Sequence, residues 1–180
     1  VHYYKIGMDG KNMVALTPEE GNHSAQYTYD YRYLLDTYSK VDAAPVTVLR
    51  DAQTGKLIKT LETADIATLK KHGWVAPEVF VAKGRDGKTD MWGIIQRPTN
   101  FDPNKKYPVI EYIYSGPGDA YTPKSFIPYN WYTTSLAELG FIVVQLDAMG
   151  TSYRGKKFEE VCYKNLKDAG FPDRELWIKA

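Results

Sequence analysis

Through residues 1 to about 62, apolar and polar positions alternate in short runs broken by Gly, Pro, Asn and Asp. That is the pattern of short antiparallel strands rather than of helices. His2-Tyr3-Tyr4-Lys5-Ile6 and Asn12-Met13-Val14-Ala15-Leu16 flank a turn centred on Asp9-Gly10. Strands are predicted at 24–29, 33–38, 45–50 and 56–61, with a loop at 17–21, a turn at 30–32 and a hairpin connection at 51–55. About 40–45 residues per four-strand unit is the spacing of a β-propeller blade. One blade cannot bury both of its faces alone.

The period is lost over 63–77, where a short helix is predicted at 64–71 and Gly73-Trp74-Val75-Ala76-Pro77 breaks it. A domain boundary is placed here. Strands at 78–83 and 89–95 then flank Gly84-Arg85-Asp86-Gly87-Lys88, a strong hairpin signal. Val109-Ile110-Glu111-Tyr112-Ile113-Tyr114 reads as a strand that runs into Ser115-Gly116-Pro117-Gly118. Asn130 can cap a helix from Trp131, with Trp131, Ser135, Leu136 and Leu139 on one face and Gly140 as its stop. Phe141-Ile142-Val143-Val144-Gln145-Leu146 is a buried strand ending at Asp147. Strand, crossover helix and strand make a βαβ unit, which predicts a mostly parallel sheet with chemistry at its carboxyl ends, where Tyr114 and Asp147 stand. A short helix is expected over 158–166, and another from Pro172 with Asp173 as its cap.

Composition adds bounds. The 180 residues are 43% hydrophobic and 25% charged, those of an ordinary globular protein. A net charge of +1 without a basic tract gives no argument for nucleic acid, and no apolar run reaches the ~18 residues of a membrane span. Cys162 is the one cysteine and can form no internal disulfide. Val1-His2-Tyr3-Tyr4-Lys5 has no signal-peptide plan and no initiator Met, as expected inside a longer chain. Fifteen tyrosines are the unusual feature; most are expected to supply buried area in sheets.

Candidate chemistry is sparse. Gly150-Thr151-Ser152-Tyr153-Arg154 approximates the G-x-S-x-G elbow but carries Arg where the second Gly belongs, so Ser152 is a poor nucleophile. His2, His23 and His72 all lie upstream and read as surface or turn histidines. No spacing suits a metal or a phosphate loop, and no cofactor is expected. Tyr114 remains: a phenol at a strand end before Gly-Pro-Gly can face a developing oxyanion. Spacing alone favours the plainer alternative, a Tyr packed on the next helix with its hydroxyl satisfied by backbone.

The order of elements shifts that balance. Lys106-Tyr107-Pro108, Tyr114-Ser115-Gly116-Pro117, Asn130-Trp131 and Asp147 with Gly150 and Tyr153-Arg154-Gly155 resemble the prolyl oligopeptidase family of serine peptidases, closest to its dipeptidyl peptidase IV branch. The resemblance covers essentially the whole chain. It implies the last part of a β-propeller over 1–70 and, over 71–180, the first part of an α/β-hydrolase domain, ending before the nucleophile elbow. The parent would be a serine exopeptidase releasing N-terminal dipeptides through an acyl-enzyme, with cleavage after Pro as the finer expectation. Tyr114 would donate its side-chain hydroxyl to the oxyanion hole, and peptide would be the substrate. The family's catalytic Ser, Asp and His all follow the second crossover helix, so these 180 residues by themselves are expected to be inactive. Asp147-Ala148-Met149-Gly150 departs from the many relatives that have Gly-Arg in the middle. Glu19-Glu20 lies in a late hairpin loop, and the family's grip on a substrate amino terminus is not transferred to it. Secreted and periplasmic members imply an exported parent. The competing expectations are an acylaminoacyl peptidase or esterase of the same superfamily and a non-catalytic module binding peptide or glycan. Open sheet edges also predict that the isolated chain forms homo-oligomers.

Overall fold

Alternation in the first third is realised as strands, in a computed structural model that describes residues 1–168 and 170–180. The described residues divide into two units, Val1–Gly73 with Lys124–Pro128, and Trp74–Pro123 with Tyr129–Ala180.

In the first unit, β1 (Tyr4–Lys5) and β2 (Val14–Ala15) form a small hairpin. β3 (Asn22–Tyr27), β4 (Tyr33–Lys40), β5 (Ala43–Asp51) and β6 (Leu57–Thr63) make an antiparallel sheet in sequential order. Its interior combines Leu16, Leu34 and Ala52 with a buried polar network. The Asp36 carboxylate accepts from the Arg50 Nε at 2.9 Å, and His23 Nδ1 lies 2.9 Å from it; Arg50 also pairs with Glu19. His23 is therefore not the surface or turn residue expected. It is 3% exposed, because Asp36 on the neighbouring strand and the Glu19 carbonyl give both ring nitrogens partners. β6 is exposed at every position. Residues 124–128 are tied to this unit, the Phe126 N–H donating to Ser39 Oγ at 3.0 Å. A short α1 (Ala67–Lys71) closes it.

The second unit is built on β7 (Glu78–Lys83), β8 (Asp90–Gln96), β9 (Val109–Glu111) and β10 (Ile142–Asp147), in the order β7-β8-β10-β9. Only β9 and β10 are parallel; β8 runs antiparallel to both β7 and β10. The expectation of a mostly parallel sheet is corrected on this point. A tight turn at 84–89 forces β7 and β8 antiparallel, and the chain from β8 passes β10 to pair on its far side. Side chains of β10 alternate. Val144 and Leu146 join Met91, Met149, Phe158 and Trp177 in the core, while Gln145 and Asp147 turn to the other face.

Two helices carry corrections. α2 (Trp131–Glu138) is capped as expected, Asn130 Oδ1 accepting from the N–H groups of Tyr132 and Thr133. Its buried face is Thr133 and Ala137, whereas Trp131 and Leu139 are 71% and 75% exposed. Small side chains one turn apart face the sheet here, and the large ones point out. The helix expected over 158–166 is brief: α3 (Lys156–Glu159) passes into a single 3₁₀ turn at Glu160–Cys162.

The last helix, α4 (Phe171–Lys179), starts from Gly170 in the left-handed conformation, with Pro172 in its first turn. Asp173 is not its cap. Fully buried, it accepts from the Arg85 N–H at 2.7 Å, the Arg85 guanidinium at 2.9 Å and the Met149 N–H at 3.2 Å. Arg85 also grips Asp168 at 2.7 Å, which holds the Asp168 carboxyl below its usual range. Gly93 lets α4 come close, since a β-carbon there would lie 2.6 Å from the Trp177 ring. Removing the Arg85 side chain would leave the buried Asp173 carboxyl without its guanidinium partner. Arg85→Ala is expected to cost about 3–5 kcal/mol, read from the urea midpoint followed by Trp fluorescence; a loss below about 1 kcal/mol would contradict this account.

Candidate active site

β9 is shorter than its apolar pattern suggests. The ladder to β10 pairs Val109, Ile110 and Glu111 with Ile142, Val143 and Val144, and its last rung is the Tyr112 N–H to the Val144 carbonyl at 2.9 Å. Ile113 and Tyr114 leave the sheet. Tyr114 thus sits three residues past the strand, not on its final position.

Its main chain is held all the same. The Tyr114 carbonyl accepts from Arg174 Nη2 at 2.9 Å, and Arg174 Nη1 donates to the Leu146 carbonyl at 3.2 Å and pairs with Glu111. The Gly-Pro-Gly loop is fixed from below. The Asp147 carboxylate accepts the N–H groups of Tyr121 at 2.5 Å and Thr122 at 3.0 Å, and Gln145 Nε2 donates to the Tyr121 carbonyl at 2.7 Å. Ser152 donates its N–H to the Asp119 carbonyl at 3.1 Å and its hydroxyl to the Pro117 carbonyl. Ser152 is 8% exposed and acts as a tie between loops.

Tyr114 is 37% exposed. No protein group among the described residues bonds its hydroxyl, which lies so near Gly118 that a β-carbon there would approach it to 2.8 Å. Its ring packs on Tyr121 with centroids 5.3 Å apart, and Tyr112 stacks on Tyr132 at 5.1 Å. Tyr112 and Tyr121 share a hydrogen bond of 2.5 Å between hydroxyls. That bond, with some burial, pushes the Tyr121 phenol up to about 12. Beside Pro117 opens a cleft of about 940 Å³ lined by Tyr153, Lys156, Glu159, Tyr163 and Leu166 among others.

Sequence reasoning singled out Tyr114, Asp147 and Ser152, and the structure gathers all three around one loop. It passed over Arg174 and Tyr121. Neither lies in a recognisable motif, and Arg174 meets Tyr114 across 60 positions of sequence. Among the described residues no group of three or more His, Cys, Asp or Glu is placed to hold a metal ion, and no helix is long and apolar enough to cross a membrane.

Comparison with known proteins now bears on this site. Residues 127–180 match the profile of the Prolyl oligopeptidase family. Dipeptidyl-aminopeptidase B of Aspergillus niger is 30% identical over 171 residues, 92% of this chain and 18% of that protein. Prolyl endopeptidase FAP of Mus musculus is 29% identical over 143 residues, 78% of this chain and 19% of that protein. Among solved structures, Porphyromonas gingivalis dipeptidyl peptidase 4 superposes with a TM-score of 0.76 at 25% identity, over 98% of this chain and 25% of its own. A Bacteroides ovatus protein provisionally assigned as a dipeptidyl aminopeptidase IV gives 0.78 at 30% identity, over 96% and 25%. The chain therefore spans less than a fifth of the length of these curated relatives.

The Tyr112–Tyr121 bond has a measurable consequence. A phenol raised from the usual ~10 holds its proton more tightly when folded. The stability it adds is complete below pH ~10 and is lost as pH rises toward 12. Tyr112→Phe is expected to bring the Tyr121 titration back toward 10, as followed by NMR with ring-labelled tyrosine. An unmoved Tyr121 titration would show that burial, not the bond, sets its value.

Proposed function

The chain belongs to the prolyl oligopeptidase family, and from that premise we propose that it is a segment of a serine-type dipeptidyl peptidase in which Tyr114 donates its hydroxyl to the oxyanion hole. The observation that carries this reading is a phenol hydroxyl with no protein partner among the described residues, on a residue that is 37% exposed beside a loop held by hydrogen bonds on either side. A Tyr placed for packing would bury that group or pair it. In acyl transfer, a serine alkoxide attacks the scissile carbonyl and negative charge gathers on its oxygen. A donor fixed in advance stabilises that charge without reorganising.

The remaining parts are assigned on the same premise. Residues 1–70 form the last part of a β-propeller, supported by the four-strand meander of β3 to β6, and residues 71–180 the start of an α/β-hydrolase domain, supported by the hairpin and the β9-α2-β10 crossover. The nucleophile, its histidine and its carboxylate are supplied by other parts of the parent. The second unit contains no histidine, and the Ser152 hydroxyl is spent on a carbonyl. The substrate is a peptide with a free amino terminus, cleaved after its second residue, with Pro the favoured second residue.

Two experiments address these assignments. In the full-length protein, Tyr114→Phe is expected to lower kcat on a Gly-Pro anilide about 10²- to 10³-fold with KM within about twofold. Gly118→Ala is expected to fall in the same direction, because the new methyl group displaces the hydroxyl. Wild-type kcat in Tyr114→Phe would refute the oxyanion role. The isolated 180-residue chain is expected to show no turnover of the same anilide; turnover there would return attention to Ser152.

A further inference from the structure

Parallel strands exchange evenly spaced bonds through every second residue, so the continuation of β9 beside β10 would give Tyr114, the next residue to face it after Tyr112, a main-chain partner. The chain instead peels away after the Tyr112–Val144 rung, leaving the carbonyls at the two diverging ends in need of donors. A planar guanidinium offers a rigid fork of N–H groups, and here it fills the gap. Arg174 is 1% exposed. It reaches the Leu146 carbonyl at 3.2 Å on one strand, Glu111 on the other, and the Tyr114 carbonyl at 2.9 Å beyond the end of the ladder.

We infer that Arg174 is the positioning residue of this site: its guanidinium replaces the missing ladder and sets where the Tyr114 hydroxyl points. The inference rests on the oxyanion reading of Tyr114. Arg174 touches no reacting atom; it acts through the Tyr114 main chain. A lysine at this place could donate to one or two of the three acceptors but lacks the planar fork. Its anchor is independent of the site, since α4 is held by Asp173 in the grip of Arg85.

The test is a double-mutant cycle in the full-length protein, with kcat and KM measured on a Gly-Pro anilide and folding monitored by thermal melting. Arg174→Met is expected to lower kcat about 10- to 100-fold, the scale of a displacement near 1 Å, with KM within about twofold. Arg174→Lys is expected to fall between the two. The deciding measurement is Arg174→Met in the Tyr114→Phe background, where the second change is expected to cost less than twofold because the hydroxyl it positions is gone. A purely structural arginine would cost the same in both backgrounds, and that result overturns the inference. So does wild-type kcat in Arg174→Met alone. If Arg174→Met fails to melt cooperatively because the half-buried Glu111 is left unpaired, Glu111→Gln with Arg174→Met removes both charges and carries the same cycle. Wild-type kcat in Tyr114→Phe alone is a separate outcome: it removes the oxyanion reading, and this inference falls with it.

Discussion

A parallel ladder that stops early creates a debt of hydrogen bonds. β9 pairs with β10 for three residues, and the next carbonyls along the two strands, those of Tyr114 and Leu146, lose their ladder donors. Buried acceptors must find donors or give up a few kcal/mol each. One arginine side chain donates to both of these carbonyls, and its third partner, the Glu111 carboxylate, balances its charge. Replacing such a buried pair by packed hydrocarbon often costs nothing in stability. Its value is geometric. The arrangement lets Tyr114 leave the sheet while its main chain stays fixed.

The opposite side of the loop follows the same logic. Odd positions of β10 carry Gln145 and Asp147 toward residues 117–123, where they bind the backbone of Tyr121 and Thr122. Ser152, on the segment after β10, bonds the carbonyls of Pro117 and Asp119. Gly and Pro permit the sharp path of the loop, and polar side chains from β10 and its continuation choose one path among those permitted. A donor that must serve a transient charge is effective only if it does not have to be ordered at the moment of reaction.

Which parts of this could be read from the sequence depends on the range of the forces involved. The strands of the first unit and the β7–β8 hairpin were legible because alternation and Gly-containing turns act within a few residues. The Asn130 cap was legible for the same reason. The end of β9 was not, because apolar alternation continues through Ile113 while the partner that draws Tyr114 away lies on α4. Asp173 looked like a cap by local rules, yet Arg85, 88 positions earlier, claims it. His23 looked like a turn residue until Asp36 on the next strand buried it. The exposed Trp131 of α2 misled for a different reason: an apolar face read from periodicity assumes that large residues turn inward, and here Thr133 and Ala137 do. Tyr114 was picked out by its motif, since spacing alone pointed to a packed tyrosine.

Adjacent residues of opposite charge explain why α4 matters to a loop it does not contain. Asp173 faces the β7–β8 turn and is bound by Arg85 and by the Met149 N–H; Arg174 faces the end of β9. In a helix, neighbours one residue apart point about 100° apart, so a single turn can hold two separate polar anchors. The first anchor fixes the position of the helix against the hairpin, and the second passes that position to Tyr114. Because both side chains are fully or almost fully buried, neither can be reoriented cheaply, and the path from Arg85 to the loop has little slack. The position of the Tyr114 main chain is therefore referenced, through α4, to the β7–β8 hairpin as well as to the Gly-Pro-Gly loop that follows it.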